Sequence, residues 1–291
     1  MSKKGRCFSV YSAVYISDSG EKYVFGKDGL TMFDMNVGDG VSISLGTSQG
    51  FSQVGETIES QTVSGRVISV SGVIYADVPE RKRTMRKIIA PFSSGRLVFQ
   101  GTHYTRVTVK AAPSFSPVKE DGRFSLQFFA PFPFFYSIDT KGTTIGGVAP
   151  LFSFPVNYAE SHQFGEKAFE RYTNVLNTGD VKVPFSITLQ STGKSSNINI
   201  ANLETFEFLK INGTLNADDV LNIYRDDQNI LRAELQTNGR VEDVISWIDE
   251  DSTLFELNVG DNLILATDDE GGANLITRFT YNLAVVALYE S

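Results

Sequence analysis

With 291 residues, the chain can bury roughly 75% of the surface that its unfolded form would expose, and it is long enough for two domains. No run of 18 or more apolar residues occurs, so the sequence predicts no membrane-spanning helix. The net charge of −8 is unevenly distributed, because residues 1–179 hold 19 basic and 15 acidic side chains, whereas residues 180–291 hold 7 and 19. This asymmetry favours a two-part chain, and the excess of acids argues against a general nucleic-acid binder.

The N-terminus and the cysteine content indicate the cellular compartment in which the chain is made. The start, MSKKGRCFSV, has a basic flank without an apolar core behind it, so we do not expect a secretory signal. Cys7 is the single cysteine, which excludes an internal disulfide and every multi-cysteine metal site. The composition therefore predicts synthesis in a reducing cytoplasm.

Short strands are predicted in the first 65 residues. Alternating pieces at residues 9–16 and 23–25 flank the run DSGE at residues 18–21, which predicts the tip of a hairpin. Region 37–65 is rich in glycine and serine, yet apolar residues recur in it, and Val41–Leu45 alternates as a strand does. We therefore interpret this region as a folded loop between strands rather than as a disordered segment.

Residues 62–99 predict a strand, a short helix and a second strand. Ile68, Val70 and Ile74 recur at a two-residue period within residues 66–75, as in a half-buried strand. A helix follows, because Asp77 can cap it and Pro79 fits its first turn. We expect Met85, Ile88 and Ile89 to face the core, Pro91 to end the helix, and residues 97–99 to form the next strand.

Five basic side chains cover the other faces of this helix. They are Arg81, Lys82, Arg83, Arg86 and Lys87. A charged helix face is most often solvated or ion-paired, and the sharper hypothesis is a subunit interface or the lining of a channel.

Aromatic residues and prolines alternate in FFAPFPFFY, residues 128–136, after predicted strands at residues 107–109 and 123–129. Prolines exclude both a helix interior and a central strand here. The run is either an aromatic cluster that closes a domain or a subunit contact.

We place the domain boundary near residue 140, which gives an N-terminal β domain, 1–140, and a C-terminal domain, 141–291. Residues 166–176 are compatible with either a short helix or a strand. Beyond residue 177, about eight short strands predict a β-sandwich or jelly roll. Predicted turns between them are Asn212-Gly213, Asn238-Gly239, Val259-Gly260-Asp261 and Gly271-Gly272, and predicted strands include 206–211, 254–257 and 262–266.

No motif for catalysis or for cofactor binding is recognised. His103 and His162 are the only histidines, and no GxSxG, HExxH, Walker loop or GxGxxG motif accompanies them. Acidic pairs such as Asp218-Asp219 and Asp226-Asp227 lack the register of an EF-hand and suit solvated turns. Trp247, the only tryptophan, is interpreted as a core residue, with a sugar-binding platform as the alternative. We predict no catalytic residue, no metal and no cofactor.

The run GRVISVSGVIYADVPERKRTMRKIIAPFSSGRLVF, residues 65–99, resembles the N-terminal domain of distal tail proteins (Dit) of long-tailed bacteriophages. The matching residues are Arg66, Gly72, Ile74, Arg81, Pro91, Gly95 and Leu97. The last third resembles the C-terminal domain of siphovirus tail components. The matching stretches there are Asn177-x-Gly179-Asp180, Ile198–Asn202, Gly213-Thr214-Leu215, Leu221-x-Ile223 and Leu257-x-Val259-Gly260-x-Asn262.

This resemblance implies a mainly β protein with a sandwich-like N-terminal domain, which carries one short helix and a hairpin, and a galectin-like C-terminal sandwich. It further implies a homo-hexameric ring at the virion tail tip that joins the tail tube protein to the tail-tip and receptor-binding proteins and lets DNA pass. Arg66 and the five basic helix residues are then candidates for the ring interface or the channel face. The alternatives are an adhesin that binds cell-wall glycans through Trp247 and a glycoside hydrolase with an acidic pair.

Overall fold

The computed structural model describes residues 12–146 except 27 and 29, the backbone of 148–150 and 165–167, and residues 172–288 except 227, 254, 271 and 273. Cys7 and His162 lie outside the described residues. Two compact units make up the chain. Unit 1 comprises Met1–Ile138 and Ala284–Ser291, and unit 2 comprises Asp139–Leu283. None of the helices in the described ranges has the length and apolar character needed to cross a membrane.

Antiparallel strands dominate both units, which confirms the mainly β class. The elements that begin in unit 1 are β1 (Ala13–Ser17), β2 (Lys22–Phe25), β3 (Thr31–Met35), β4 (Ile43–Ser48), β5 (Thr57–Val63), β6 (Arg66–Ile74), α1 (Val78–Ile88), β7 (Ser94–Phe99), β8 (His103–Phe115), β9 (Arg123–Ala130) and β10 (Phe135–Ile145). Those that follow are β11 (Val148–Pro150), β12 (Gly165–Lys167), β13 (Tyr172–Asn174), β14 (Phe185–Ser191), β15 (Ser195–Asn202), β16 (Phe208–Leu215), β17 (Val220–Arg225), β18 (Leu231–Thr237), β19 (Arg240–Asp243), β20 (Leu263–Thr267) and β21 (Leu275–Val285).

The core of unit 1 lies between two runs of paired strands. One run has the order β2-β1-β7-β8, and the other has the order β3-β6-β9. Strand β8 belongs to both, because its residues 103–108 pair with β7 and its residues 108–115 pair with β9. Two register shifts between Val109 and Ser114 interrupt the pairing with β9. Tyr15 stacks on Phe128 across the core at 5.1 Å between ring centroids, and both rings are fully buried.

The predicted strand–helix–strand stretch is confirmed. Ile68, Val70 and Ile74 are buried on β6, and α1 has Pro79 in its first turn and buries Met85 and Ile88. The predicted capping hydrogen bond is wrong, since Asp77 occupies the N-cap position at a φ of 50° without a side-chain bond to the helix.

The prolines of the aromatic run 128–136 lie outside the strands, as the sequence predicts. Strand β9 ends at Ala130, β10 begins at Phe135, and the two prolines lie between them. Phe135 is fully buried and meets Phe99 edge to face at 5.3 Å, so this ring is part of the core of unit 1.

Unit 2 contains the predicted sandwich. One sheet has the order β13-β20-β15-β16, and the other contains β19-β18-β17-β14-β21. Within residues 165–174, the described parts are the strands β12 and β13 rather than a helix. The turn at Asn238-Gly239 is confirmed, because both residues have positive φ between β18 and β19.

Two sequence predictions fail in unit 2. The dipeptide Asn212-Gly213 lies inside β16 rather than in a turn. The predicted strand 254–257 is a single bridge between Val183 and Leu257, and residue 254 lies outside the described residues.

Candidate assembly surfaces

Strands β4 and β5 form a hairpin, called the arm below (residues 43–63), that pairs with no other strand in the described part of the chain. Cross-strand partners point to the same side of a hairpin, so its register sorts the side chains into two faces. The apolar face carries Ile43, Leu45, Ile58 and Val63, each at least 47% exposed. The hydroxyl face carries Ser44, Gly46, Ser48, Thr57, Ser60 and Thr62.

The arm by itself adds little stability to an isolated subunit. A two-stranded hairpin is marginally stable alone in water, and the apolar face of this one contributes nothing until it is covered. The loop at its end adds Phe51 and Val54, which are fully exposed. Large exposed apolar patches mark surfaces for protein–protein contact, and the arm is therefore the first candidate for one.

The root of the arm is fixed to unit 1 by hydrogen bonds. The Ser64 N–H donates to the Ser42 carbonyl oxygen at 3.0 Å, which continues the ladder below the strands. Asn36 bridges β3 to β6, since its Nδ2 donates to the Val67 carbonyl at 3.2 Å and its Oδ1 accepts the Ser69 N–H at 2.8 Å. The arm thus projects from an ordered base.

Arg66 lies directly after the arm and is buried, with 7% of its surface exposed. Its Nη2 donates to the Val286 carbonyl oxygen at 2.6 Å, and its guanidinium carbon lies 4.7 Å from the centroid of the Phe135 ring. Nε and Nη1 are buried and have no hydrogen-bond partner among the described residues. Burial lowers the pKa of Arg66, and the negative charge of Asp39 opposes that shift.

The five basic residues of α1 separate into one buried and four accessible side chains. Lys82 is buried, and its Nζ donates to the carbonyl oxygens of Ser116, Val118 and Lys119 at 3.5, 3.1 and 3.2 Å. The accessible side chains are Arg81, Arg83, Arg86 and Lys87. Arg66 and Lys82 therefore contact their own chain, and a role of all six residues in an interface or channel stays a prediction.

A cavity of about 380 Å³ lies in unit 1 beside β1, β3 and β8. Its described lining is mostly apolar, with Phe33, Met35, Phe99 and Leu288 among the walls, and His103 is its one ionisable side chain. Burial lowers the pKa of His103, so the imidazole is neutral at pH 7. Acid–base or nucleophilic chemistry needs converging ionisable groups, which this lining does not supply.

Trp247 lies in a 3-10 turn (Ile245–Trp247) beside the edge strand β16. The segment around it covers that edge, since Ile248 bridges to Ile211 and the Asp249 N–H donates to the Lys210 carbonyl at 2.9 Å. The indole ring is half-buried and lies over Gly213, where an added Cβ would overlap it. This contact explains a glycine inside β16, and the sugar-platform role of Trp247 stays a prediction.

The acidic pairs of unit 2 mostly form turns. Asp226 accepts the N–H groups of Gln228 and Ile230 at 2.9 Å and pairs with Arg232 at 3.0 Å. These contacts, the Ile230 N–H first, lower the pKa of Asp226. Within the described residues, no group of three or more histidine, cysteine, aspartate or glutamate side chains is arranged to hold a metal ion.

Sequence reasoning missed the apolar face of the arm. The signal was present, because Ile43 and Leu45 alternate with serines and glycine at residues 43–48. That alternation predicts a half-buried strand, but it does not say whether the covering surface lies in the same chain or in another one.

The sequence of the chain matches a known protein family in its C-terminal part. Residues 178–283 match the family described as siphovirus-type tail component, C-terminal domain. No curated protein sequence matches the chain.

Three solved structures share the fold across nearly the whole chain. The crystal structure of SPP1 Dit (gp 19.1), described as a paradigm of the hub adsorption apparatus in phages that infect Gram-positive bacteria, is 14% identical, with a TM-score of 0.67 over 94% of this chain and 99% of that one. The phage P2 baseplate in its activated conformation with Ca is 12% identical, with a TM-score of 0.53 over 94% and 98%. The same baseplate with Sr is 11% identical, with a TM-score of 0.51 over 94% and 98%.

At these identities the structural likeness shows the fold alone. Together the two findings confirm the resemblance drawn from the sequence: the chain has the fold of Dit, and its residues 178–283 match the siphovirus-type tail component family.

Proposed function

We propose that the chain is a structural distal tail protein of a long-tailed phage or prophage, located at the tail tip. Copies form a ring, which we expect to be a hexamer, that joins the tail tube protein to the tail-tip and receptor-binding proteins. Viral DNA passes through its hole, and the chain catalyses no reaction. The Dit fold over 94% of the chain and the matched tail-component family support this role.

The arm is the observation that carries the proposal. Its apolar face is exposed and rooted on an ordered base, so a neighbouring molecule has to cover it. The contact is heterologous, because an arm on one copy meets a different surface on the next, and heterologous contacts form a ring when the rotation closes. Arms around such a ring would each gain the stability that an isolated hairpin lacks.

The assembly is tested on the arm itself. We expect the purified protein to sediment at several times its 32.0 kDa mass and to show a central hole in negative-stain images. Leu45→Ser with Ile58→Ser removes apolar area that is exposed in the subunit, so folding is retained while assembly weakens at least about tenfold. The matched control is Ser44→Ala with Thr62→Ala, a cross-strand pair on the hydroxyl face, and it should assemble as the wild type does.

Other outcomes would contradict the proposal. Equal assembly of the Leu45/Ile58 variant and the control would show that the apolar face is not the contact. A wild-type protein that forms no ring by itself and none with a tail tube protein would remove the ring altogether.

A further inference from the structure

Three buried asparagines hold the loops at one end of unit 2. Asn177 is fully buried, and its Nδ2 donates to the Val181 and Leu257 carbonyl oxygens at 2.9 and 3.1 Å. Its Oδ1 accepts the Gly179 N–H at 2.9 Å, and its backbone exchanges two hydrogen bonds with Gly260. One side chain thereby ties the loop after β13 to the loop before β20.

Asn262 and Asn202 extend this network to a third loop. Asn262 is fully buried and donates from Nδ2 to the Asn258 carbonyl at 2.8 Å while its Oδ1 accepts the Asn258 N–H at 2.8 Å. Its Oδ1 lies 3.5 Å from Nδ2 of Asn202, which is also fully buried. Asn202 in turn accepts the Glu204 N–H at 2.9 Å and fixes the turn after β15. The backbone of all three loops is therefore held in place before any partner arrives.

These loops present apolar side chains to solvent. Phe206 is 85% exposed and has a φ of 60°, a conformation that is uncommon for a bulky residue. Leu176, Leu203 and Val259 are the other large apolar side chains exposed there. We call this surface the tip (residues 176–182, 202–207 and 257–262). Rigid loops that display apolar anchors lose little conformational entropy on binding, which is a property of docking surfaces.

The tip is acidic. Its three loops contain four carboxylates, Asp180, Glu204, Glu207 and Asp261, against one basic residue, Lys182. An apolar centre with an acidic rim selects a partner whose own apolar centre has a basic rim.

Unit 1 carries a surface of that kind at α1. Arg83 and Lys87 lie four residues apart on the exposed side of the helix, with Arg86 beside them. Phe92 follows the helix, is 97% exposed and has a φ of 67°. We call Arg83, Arg86, Lys87 and Phe92 the helix patch. The helix patch and the tip therefore match in charge, and each displays one exposed phenylalanine.

We infer that the tip of one copy docks on the helix patch of a second copy. The contact is heterologous, as the contacts of a ring have to be, so it rests on the proposed ring and adds an interface to the one made by the arm. The partner is thus another copy of this chain, recognised by opposite charge around an apolar centre.

Charge reversal tests the inference with the full-length protein. The tip variant is Glu204→Lys with Glu207→Lys, and the helix variant is Arg83→Glu with Lys87→Glu. Each variant alone would place like charges across every such contact, and we expect self-association to weaken about tenfold or more by sedimentation equilibrium. Folding is retained because Arg83, Lys87 and Glu204 are exposed and Glu207 is only half-buried. The Lys87–Glu21 pair that is lost is also exposed.

An equimolar mixture of the two variants should restore association. Alternating copies then place a basic tip on an acidic helix patch, and an acidic tip on a basic helix patch, at every contact of an even-numbered ring. A chain that carries all four substitutions should also associate, since its tip and its helix patch are both reversed. The matched control, Glu242→Lys with Glu250→Lys, reverses two exposed charges of unit 2 outside the tip and should change nothing.

Three results would overturn the inference. Rescue by the fourfold variant without rescue by the mixture would mean that the contact lies within one chain. No rescue by either would assign the tip to a different protein, and no loss in the single variants would mean that the tip is not used. Because the arm variants assemble or fail independently of these charges, failure here leaves the ring proposal standing.

Discussion

Two buried cations in unit 1 have different environments. Lys82 directs its ammonium group at three carbonyl oxygens. Within the described part of the chain, Arg66 has one hydrogen bond, one aromatic face and two nitrogens, Nε and Nη1, without a partner. A buried charge whose hydrogen bonds are incomplete is weak support for a fold. We therefore expect Arg66 to stabilise unit 1 mainly through the volume that it fills, and Lys82 mainly through its polar contacts.

Substitution of Arg66 separates charge from volume. Arg66→Met keeps most of the packing against Phe135 and removes the desolvated charge, so the free energy of unfolding should change by less than about 1 kcal/mol in either direction. Arg66→Ala leaves a cavity and should cost about 2–4 kcal/mol. Both variants lose the bond to Val286, so their difference in urea denaturation isolates the packing. A loss of several kcal/mol for Arg66→Met would show that the charge itself is required.

Asp219 should make part of the stability of unit 2 depend on pH. Its carboxylate is largely buried in the turn before β17, and hydrogen bonds from the Thr237 hydroxyl and then the Asn216 N–H lower its pKa. A group whose folded pKa is depressed stabilises the fold above its unfolded pKa, about 3.9, and loses that contribution as the pH falls through the folded value. Asp219→Asn should therefore differ most from the wild type at neutral pH and least in acid. A difference in unfolding free energy that is constant from pH 7 to pH 2 would contradict this.

At the scale of elements, α1 orders the turn between β8 and β9 through Lys82. Lys82→Met keeps the stem of the side chain but removes the Nζ donor from the carbonyl groups of Ser116, Val118 and Lys119. Of these, the Val118 carbonyl still accepts the Asp121 N–H at 3.2 Å. We expect a loss of about 1–3 kcal/mol and faster amide exchange in residues 116–122. Lys87→Met on the same helix is the matched control and should cost less than about 1 kcal/mol, because its ion pair with Glu21 is exposed. Equal losses would mean that Lys82 acts only through general helix effects.

The contact between β16 and the 3-10 turn can be followed with one fluorophore. Gly213→Ala places a methyl group where the Trp247 ring lies, and overpacking of this kind costs about 1–3 kcal/mol. Because Trp247 is the only tryptophan, a red shift of the emission would report the displaced ring directly. The matched control is Gly193→Ala, because the atoms nearest to its added methyl group belong to the flexible side chain of Asn274. Gly239→Ala is not suitable as a control, since Gly239 has a positive φ of 74° that alanine rarely adopts. An unchanged emission spectrum in Gly213→Ala would show that the ring has room to adjust.

Local periodicity predicted the elements that pack against a core of their own unit. Ile68, Val70 and Ile74 on β6, and Met85 on α1, repeat at the periods of a strand and a helix because one face of each element is buried. Strand β5 was not predicted, because its apolar residues face no surface of the same unit and its sequence, TIESQTV, is mostly polar. The dipeptide Asn212-Gly213 predicts a turn from local sequence alone. The structural reason for Gly213 is the Trp247 ring, which lies far away in the sequence.

Local sequence patterns also could not show which basic residues of unit 1 are buried. A run of basic residues on α1 was visible in the sequence, but the burial of Lys82 depends on carbonyl groups at residues 116–119, and that of Arg66 depends on Val286 and Phe135. Non-local contacts of this kind leave no periodic signal. The sequence therefore indicated which residues carry charge, and only the structure separated those that face solvent from those that face the chain.

At the scale of the whole molecule, the charge distribution is compatible with the proposed hole for DNA. The chain has a net charge of −8, and the residues that pair across the hydroxyl face of the arm are serines, threonines and one glycine, whereas Glu59 lies at the register shift. Non-specific affinity for DNA comes mainly from basic groups on phosphates and from the counterions that they release. We propose that the hydroxyl face of each arm borders the hole, where neutral side chains neither grip DNA nor repel it strongly.

Lysines placed on that face should turn a passage into a binding site. Ser48→Lys with Thr62→Lys adds two exposed cations per copy on the hydroxyl face, without placing them directly opposite each other. The assembled wild type should not retard duplex DNA at physiological salt, whereas the assembled variant should bind with a dissociation constant near the non-specific range of about 10⁻⁴–10⁻⁶ M. Each phosphate contact adds about 0.9 to the slope of log affinity against log salt concentration, so the variant's affinity must fall steeply as salt rises. Ser246→Lys with Gln236→Lys adds the same charge to the exposed surface of unit 2, and equal retardation by that control would show that the hydroxyl face has no special access to DNA.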